Sequence, residues 1–185
     1  MEQLKMVWHN DNTPPQPVTV PAGCAIVPFS QLGGALDAWL DIVQYGLSDG
    51  RKDAAYYQST MEARPHYDPD FCYILLESGQ PAATLTLIFD PETRDGYVHM
   101  VACKESFRGK GYGTLLTRFA LYRLKRAGMR TARLSTDDWR LPAIRSYLRI
   151  GFAPVHASPE VSARWDAVME KAGLAVQSPL ENGVG

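Results

Sequence analysis

Between Phe107 and Thr114 the chain reads Phe-Arg-Gly-Lys-Gly-Tyr-Gly-Thr, with glycine at alternate positions and two cations among them. Glycine lets backbone amides approach a ligand with no Cβ in the way. A helix beginning at such a turn contributes unpaired N–H groups and partial positive charge. Arg108 and Lys110 add two full charges, and the combination suits a phosphate or pyrophosphate. Three well-known phosphate loops do not fit. A Walker loop needs Ser or Thr after Gly-Lys, where Gly111 stands, and a dinucleotide fingerprint needs a third glycine where Thr114 stands. A kinase would need a His-Arg-Asp loop downstream, and the chain has none. A plain strand-to-helix connection, with glycines of no functional consequence, is the competing reading.

Such a turn needs a strand before it and a helix after it. Tyr97 to Cys103 reads as the strand. Leu116, Ala120, Leu124 and Ala127 recur on one face of a helix from about Gly111 to Ala127, which Gly128 closes. Upstream, a strand is expected from Cys24 to Phe29. A helix follows through Leu32, Leu36, Trp39, Leu40 and Val43, then a second from Asp53 to about Ala63, ended by Pro65. Strands are expected at 71–77 and 82–89, joined by the hairpin turn Ser78-Gly79-Gln80-Pro81.

Downstream, Met129 to Thr136 reads as a strand. Asp137 or Asp138 is expected to cap a helix with Pro142 in its first turn, Ile144, Tyr147 and Leu148 as its buried stripe and Gly151 at its end. Phe152 to His156 reads as a further strand and Val161 to Ala172 as a last helix. The order predicts an α+β fold, a mixed and mostly antiparallel sheet of six or seven strands with helices on both faces. Residues 1–19 read as an arm, a short apolar stretch and a proline-rich linker, adding an edge strand to its own sheet or to a partner's in a homodimer. Residues 20–173 then form one domain, and 174–185 a flexible tail.

Composition is that of an ordinary globular domain: 185 residues, 45% hydrophobic, net charge −1. The charge is uneven. From Lys104 to Arg149 there are 12 basic residues against 3 acidic ones, which suits an anionic ligand, although Arg118, Arg123, Lys125 and Arg126 equally suit a solvated helix face. That half contains no helix-turn-helix pair and no aromatic platform, so nucleic acid is not expected as a partner. The 3 cysteines are scattered, with no Cys-x-x-Cys pair or Cys/His cluster, so no metal is expected. An odd cysteine count without a signal peptide suggests a cytoplasmic setting. No apolar run approaches the roughly 18 residues of a membrane span.

Arg108-x-x-Gly111-x-Gly113 resembles the Gln/Arg-x-x-Gly-x-Gly/Ala signature of the GNAT superfamily of acyl-CoA-dependent N-acyltransferases. Val98 to Ala102 resembles the family's fourth strand. Asp137 to Phe152 resembles its second motif, with Ala143, Tyr147 and Gly151-Phe152 in register. The resemblance runs from about Ala22 to Val155. It implies a sheet splayed between the fourth and fifth strands and a chain that transfers an acetyl group from acetyl-CoA to a primary amine. A non-catalytic acyl-CoA-binding regulatory module is the alternative. It further implies pantetheine contacts from Val101, Ala102 and Cys103, and pyrophosphate contacts from Arg108, Gly109, Lys110, Gly111, Tyr112, Gly113 and Thr114.

Attack of a neutral amine on a thioester needs a route for the amine proton, a donor for the oxyanion and a proton for the thiolate. The resemblance makes Tyr147 the general acid and leaves the Val101 amide for the oxyanion. His99 is a candidate base, since strand alternation would put Tyr97, His99 and Val101 on one face. A water chain is the other route. Where many relatives carry asparagine, this chain has Arg140, which can reach a CoA phosphate or pair with Asp137 or Asp138. Trp139 can cover the adenine or staple the helix. Cys103 reads as a small strand residue rather than a nucleophile. For the acceptor, a small-molecule or peptide amine, the family's first two helices would offer Tyr45, Asp49, Tyr56, Tyr57, His66, Tyr67 and Asp68. These would suit a cationic amine.

Overall fold

The computed structural model describes residues 2–48 and 50–174. Seven strands form one sheet: β1 Leu4–His9, β2 Cys24–Pro28, β3 Cys72–Glu77, β4 Gln80–Asp90, β5 Asp95–Cys103, β6 Thr131–Thr136 and β7 Ala153–Pro154. Their spatial order is β2-β3-β4-β5-β6-β1-β7. All neighbours are antiparallel except β5 and β6. The helices are α1 Ala35–Val43, α2 Ala54–Tyr57 running into a π-turn over Gln58–Glu62, α3 Tyr112–Arg126, α4 Leu141–Arg149 and α5 Pro159–Lys171. This is the mixed, mostly antiparallel α+β sheet that the sequence predicts.

Two packed clusters cover the two faces. Leu85, Leu87, Val98, Leu116, Ala120 and Leu124 meet on the side of α3 and α4. Trp39, Ile42, Val43, Met61 and Ile74 meet on the side of α1 and α2. The close fit is sharpest at Gly96, where an added Cβ would lie 2.1 Å from Leu124 Cδ2.

The arm differs from expectation. Its apolar stretch is β1, and it is an interior strand inserted between β6 and β7 rather than an edge strand. Leu4, Met6 and Trp8 are buried while Lys5 and His9 are exposed, the alternation of a strand with one face in the core. Burying a side chain of Leu or Met type stabilises by about 1.5–3 kcal/mol, so this stretch belongs to the core and not to an appendage. The proline linker gives the strand a peripheral look in sequence, because it separates β1 from everything it pairs with.

Two features of β5 shape the site. Its parallel pairing with β6 covers only Asp95, Gly96 and Tyr97, so from Val98 to Cys103 that edge has no strand partner and the sheet is open. The splay lies between the strands that the resemblance designates fourth and fifth. The second feature is a bulge. Thr86 faces His99 and Thr84 faces Ala102, so β5 carries one residue more than β4 across this stretch. Met100, at φ +52°, absorbs the extra residue.

Candidate active site

The glycine turn leaves β5 through a short 3-10 turn, Glu105–Phe107, and enters α3. Gly109 and Gly111 both sit at φ +81°, a region closed to most side chains. No side chain caps α3, whose N-cap is Gly111. The first backbone bond of the helix is Leu115 N–H to the Gly111 carbonyl, and the amides of residues 109 to 114 make no backbone bond among the described residues. A run of unpaired amides at a helix start is a cradle for an anion.

A groove of about 640 Å³ runs alongside. It is lined by Val101 and Cys103 from the open edge of β5, by the turn from Phe107 to Thr114 except Lys110, and by Tyr45, Leu47, Trp139, Arg140, Ser146 and Tyr147. The turn, Val101, Ala102, Cys103, Arg140 and Tyr147 therefore meet in one place. Ala102 and Tyr112 point their side chains into the two cores, so only their backbone is offered to the groove. The Thr114 hydroxyl bonds that of Ser146 at 2.6 Å, tying the start of α3 to α4.

The two turn cations are less available than their charge suggests. Arg108 donates to the Tyr45 carbonyl at 2.7 Å. Lys110 pairs with Glu77 at 2.7 Å. Arg140 pairs with Asp137 at 2.7 Å, and its guanidinium lies 4.6 Å from the Trp139 ring centre. Asp138 is held by Arg164. Neither aspartate caps α4, whose N-cap is Arg140, because both carboxylates are spent on arginines. Trp139 is 68% exposed at the groove's lip and does not staple the helix.

A smaller cavity of about 140 Å³ opens where β5 and β6 part. It shares Leu47, Val101, Arg140, Ala143 and Tyr147 with the groove. Tyr147 is thus common to both chambers. It is 8% exposed, its ring meets Phe152, and its hydroxyl has no protein hydrogen-bond partner among the described residues. Burial pushes its pKa up to about 12, with nearby Arg140 pulling the other way. The phenol keeps its proton throughout the neutral range, which a general acid requires.

His99 also lines this cavity. Its Nε2 lies 3.3 Å from the Thr60 carbonyl. A carbonyl only accepts, so Nε2 carries the hydrogen and Nδ1 keeps the lone pair. Burial, helped by the charge of Arg64, pulls its pKa down to about 4. The bulge at Met100 corrects the expected alternation. Tyr97 and His99 stay together, with ring centres 5.6 Å apart, on the side of α2. Val101 turns to pack with the α3 cluster.

The expected acceptor set does not assemble. Tyr57 and Tyr67 bond each other through their hydroxyls, and Tyr57 packs on Trp39 and Phe29 in the core. Asp68 caps a 3-10 turn by accepting from the Asp70 amide. Of the six described residues, Tyr45 alone lines either chamber; Asp49 lies outside the described residues. The cavity is walled instead by Arg64, Tyr97, Ser135, Thr136 and Gln3. These come from four separate stretches of chain, and no local pattern links them.

The basic face of α3 is largely engaged. Lys125 reaches Asp11 and Thr13 of the linker, and Arg123 lies over Phe71, Tyr73 and Phe119. Among the described residues no cluster of His, Cys, Asp and Glu could hold a metal ion, and no helix is long and apolar enough to cross a membrane.

A mixed sheet splayed at β5, an open strand edge and a run of unbonded amides at a helix start define the fold and its groove. Residues 38–152 match the Acetyltransferase (GNAT) family, and the chain belongs to that family. It is 26% identical over 106 residues to the mycothiol acetyltransferase of Nocardia farcinica, which covers 55% of this chain and 35% of that protein. A GCN5-related N-acetyltransferase from Sphaerobacter thermophilus superposes with TM-score 0.66 at 21% identity, over 83% of this chain and 49% of that one. The ribosomal-protein alanine N-acetyltransferase of Escherichia coli gives 0.58 at 18% identity, over 70% and 77% respectively. The chain thus spans about half the length of the Sphaerobacter protein and about a third of the Nocardia one.

Proposed function

We propose that this chain transfers the acetyl group of acetyl-CoA directly to a primary amine. The observation that carries the reading is the unbonded run of amides at 109–114, opening into a groove that leads along the free edge of β5 to Tyr147. The amides, with Arg108, suit the pyrophosphate, and Val101 to Cys103 suit the amide groups of the pantetheine arm.

The amine nitrogen attacks the thioester carbon, and the carbonyl oxygen becomes an oxyanion beside the Val101 amide. The nitrogen's surplus proton passes to Nδ1 of His99. An imidazole of pKa about 4 does not retain a proton at neutral pH, so His99 acts as a relay to water rather than a terminal base. The C–S bond then breaks, and the thiolate takes the phenolic proton of Tyr147. Arg140 stabilises the phenolate left behind until water returns its proton. The sum is one amide and one thiol from one amine and one thioester.

Free-thiol release from acetyl-CoA, measured with a panel of small amines, tests this. Thiol released in step with N-acetylated product is expected. Tight acetyl-CoA binding with every amine left unmodified would contradict it and make the chain a cofactor-binding regulatory module.

A further inference from the structure

We infer that the acceptor is a small amine bearing a carboxylate, held by Arg64 at the cavity between β5 and β6. This rests on the transfer reading above and names the substrate class of that same site.

Arg64 follows the α2 π-turn and lines the cavity. Its Nε donates to the Thr60 carbonyl at 3.0 Å, and its guanidinium lies 5.9 Å from the Tyr97 ring centre. Arg64 is exposed, and those contacts orient its fork while leaving both terminal nitrogens without a protein partner among the described residues. No carboxylate lines the cavity, and Arg64 is in no ion pair among the described residues. A guanidinium oriented in this way, with two terminal nitrogens open to a ligand, suits a carboxylate bound bidentately.

Thr136 supplies a second, independent observation. It lines the same cavity, is 3% exposed, and its hydroxyl has no hydrogen-bond partner among the described residues. A buried hydroxyl without a partner is costly, and a ligand oxygen would satisfy it. One free guanidinium and one hydroxyl match a single negative charge. Arg140, the other cation in the wall, is paired with Asp137 and acts on Tyr147, which leaves Arg64 as the carboxylate's partner. The volume of about 140 Å³ holds roughly five water-sized groups at ~30 Å³ each, the scale of a small amino acid. Among the described residues its wall has no acidic side chain to recognise a polycationic amine.

The test compares alanine with alaninamide as acceptors for wild type, Arg64→Gln and Arg64→Lys, by thiol release. Alaninamide loses its ammonium proton more readily, so the readout is the ratio of kcat/KM values, compared between proteins. Wild type should favour alanine over the amide by at least about tenfold more than Arg64→Gln does, with Arg64→Lys between them. The acetyl-CoA affinity should hold within about threefold, and any change in the rate through His99 is common to both acceptors and cancels in the ratio. A ratio unchanged by Arg64→Gln would overturn the inference. If no amine is turned over, the transfer reading fails, and binding of N-acetylalanine against N-acetylalaninamide in the presence of CoA still decides this one. Thermal stabilisation by the acid alone, lost in Arg64→Gln, supports it; equal stabilisation by both overturns it.

Discussion

The two chambers that meet at Tyr147 are built on different principles. The larger groove, proposed for the cofactor, offers a run of backbone groups: amides 109–114 at the start of α3 and the unpaired edge of β5. The smaller cavity, proposed for the acceptor, is walled by side chains from separate stretches of chain, among them Gln3, Arg64, Tyr97, His99 and Thr136. A backbone site depends on a contiguous stretch adopting one conformation, which needs glycines at set positions and so leaves a motif. A side-chain site depends on topology, and topology leaves none.

This contrast can be broken at several points. The largest effect belongs to the shared residue. Tyr147→Phe should lower kcat by about a hundredfold while acetyl-CoA affinity stays within a few-fold, as read by steady-state thiol release and calorimetry. A variant that loses affinity rather than turnover would make Tyr147 part of the groove wall only.

The next effect is on stability. His99 in the folded chain has its pKa depressed to about 4 by burial, against about 6.5 unfolded. At and above pH 6.5 both states are neutral there, and the fold bears no penalty. As pH falls from 6.5 to 4 the unfolded chain takes a proton that the folded one refuses, so stability drops by up to about 3 kcal/mol. Urea unfolding at stepped pH should show this drop in wild type and a shallower one in His99→Gln. Parallel curves would mean that the imidazole is not desolvated.

The smallest effect concerns a charge that looks important. Lys110 sits in the glycine turn but is paired with Glu77 and half-exposed. Exposed pairs contribute about 0–1 kcal/mol, and the cradle is backbone. Lys110→Met should therefore change the acetyl-CoA dissociation constant by less than about fivefold, measured at fixed salt. A larger loss would shift the weight of the site from amides to cations.

The same contrast explains what the sequence made legible. The glycine turn, α3, the strands at its flanks, the hairpin at Ser78-Gly79 and the position of Pro142 in the first turn of α4 were all readable, because each follows from local periodicity or backbone constraint. The place of β1 was not. Its alternation marks a strand, but its partners are β6, more than a hundred residues away, and β7. The Met100 bulge was hidden because Tyr97 to Cys103 keeps an unbroken strand-like composition, and only pairing with β4 shows the extra residue. Without it, the faces of His99 and Val101 are misassigned. The tyrosines and Asp68 expected at the acceptor site carry suitable chemistry, but their partners lie within their own helices and turns. Arg64 gave no signal, since nothing local distinguishes a surface arginine from one facing a cavity across the fold.

Calorimetric titration of acetyl-CoA into wild type and Gly113→Trp tests the central claim most directly. Gly113 lacks the positive φ of its neighbours, and a Cβ there meets nothing within 4 Å, so the indole would enter the cradle without straining the turn. Binding in the micromolar range, lost in the variant while its thermal unfolding is unchanged, is the predicted result. Equal affinity in the two proteins would contradict the placement of the pyrophosphate on the glycine turn.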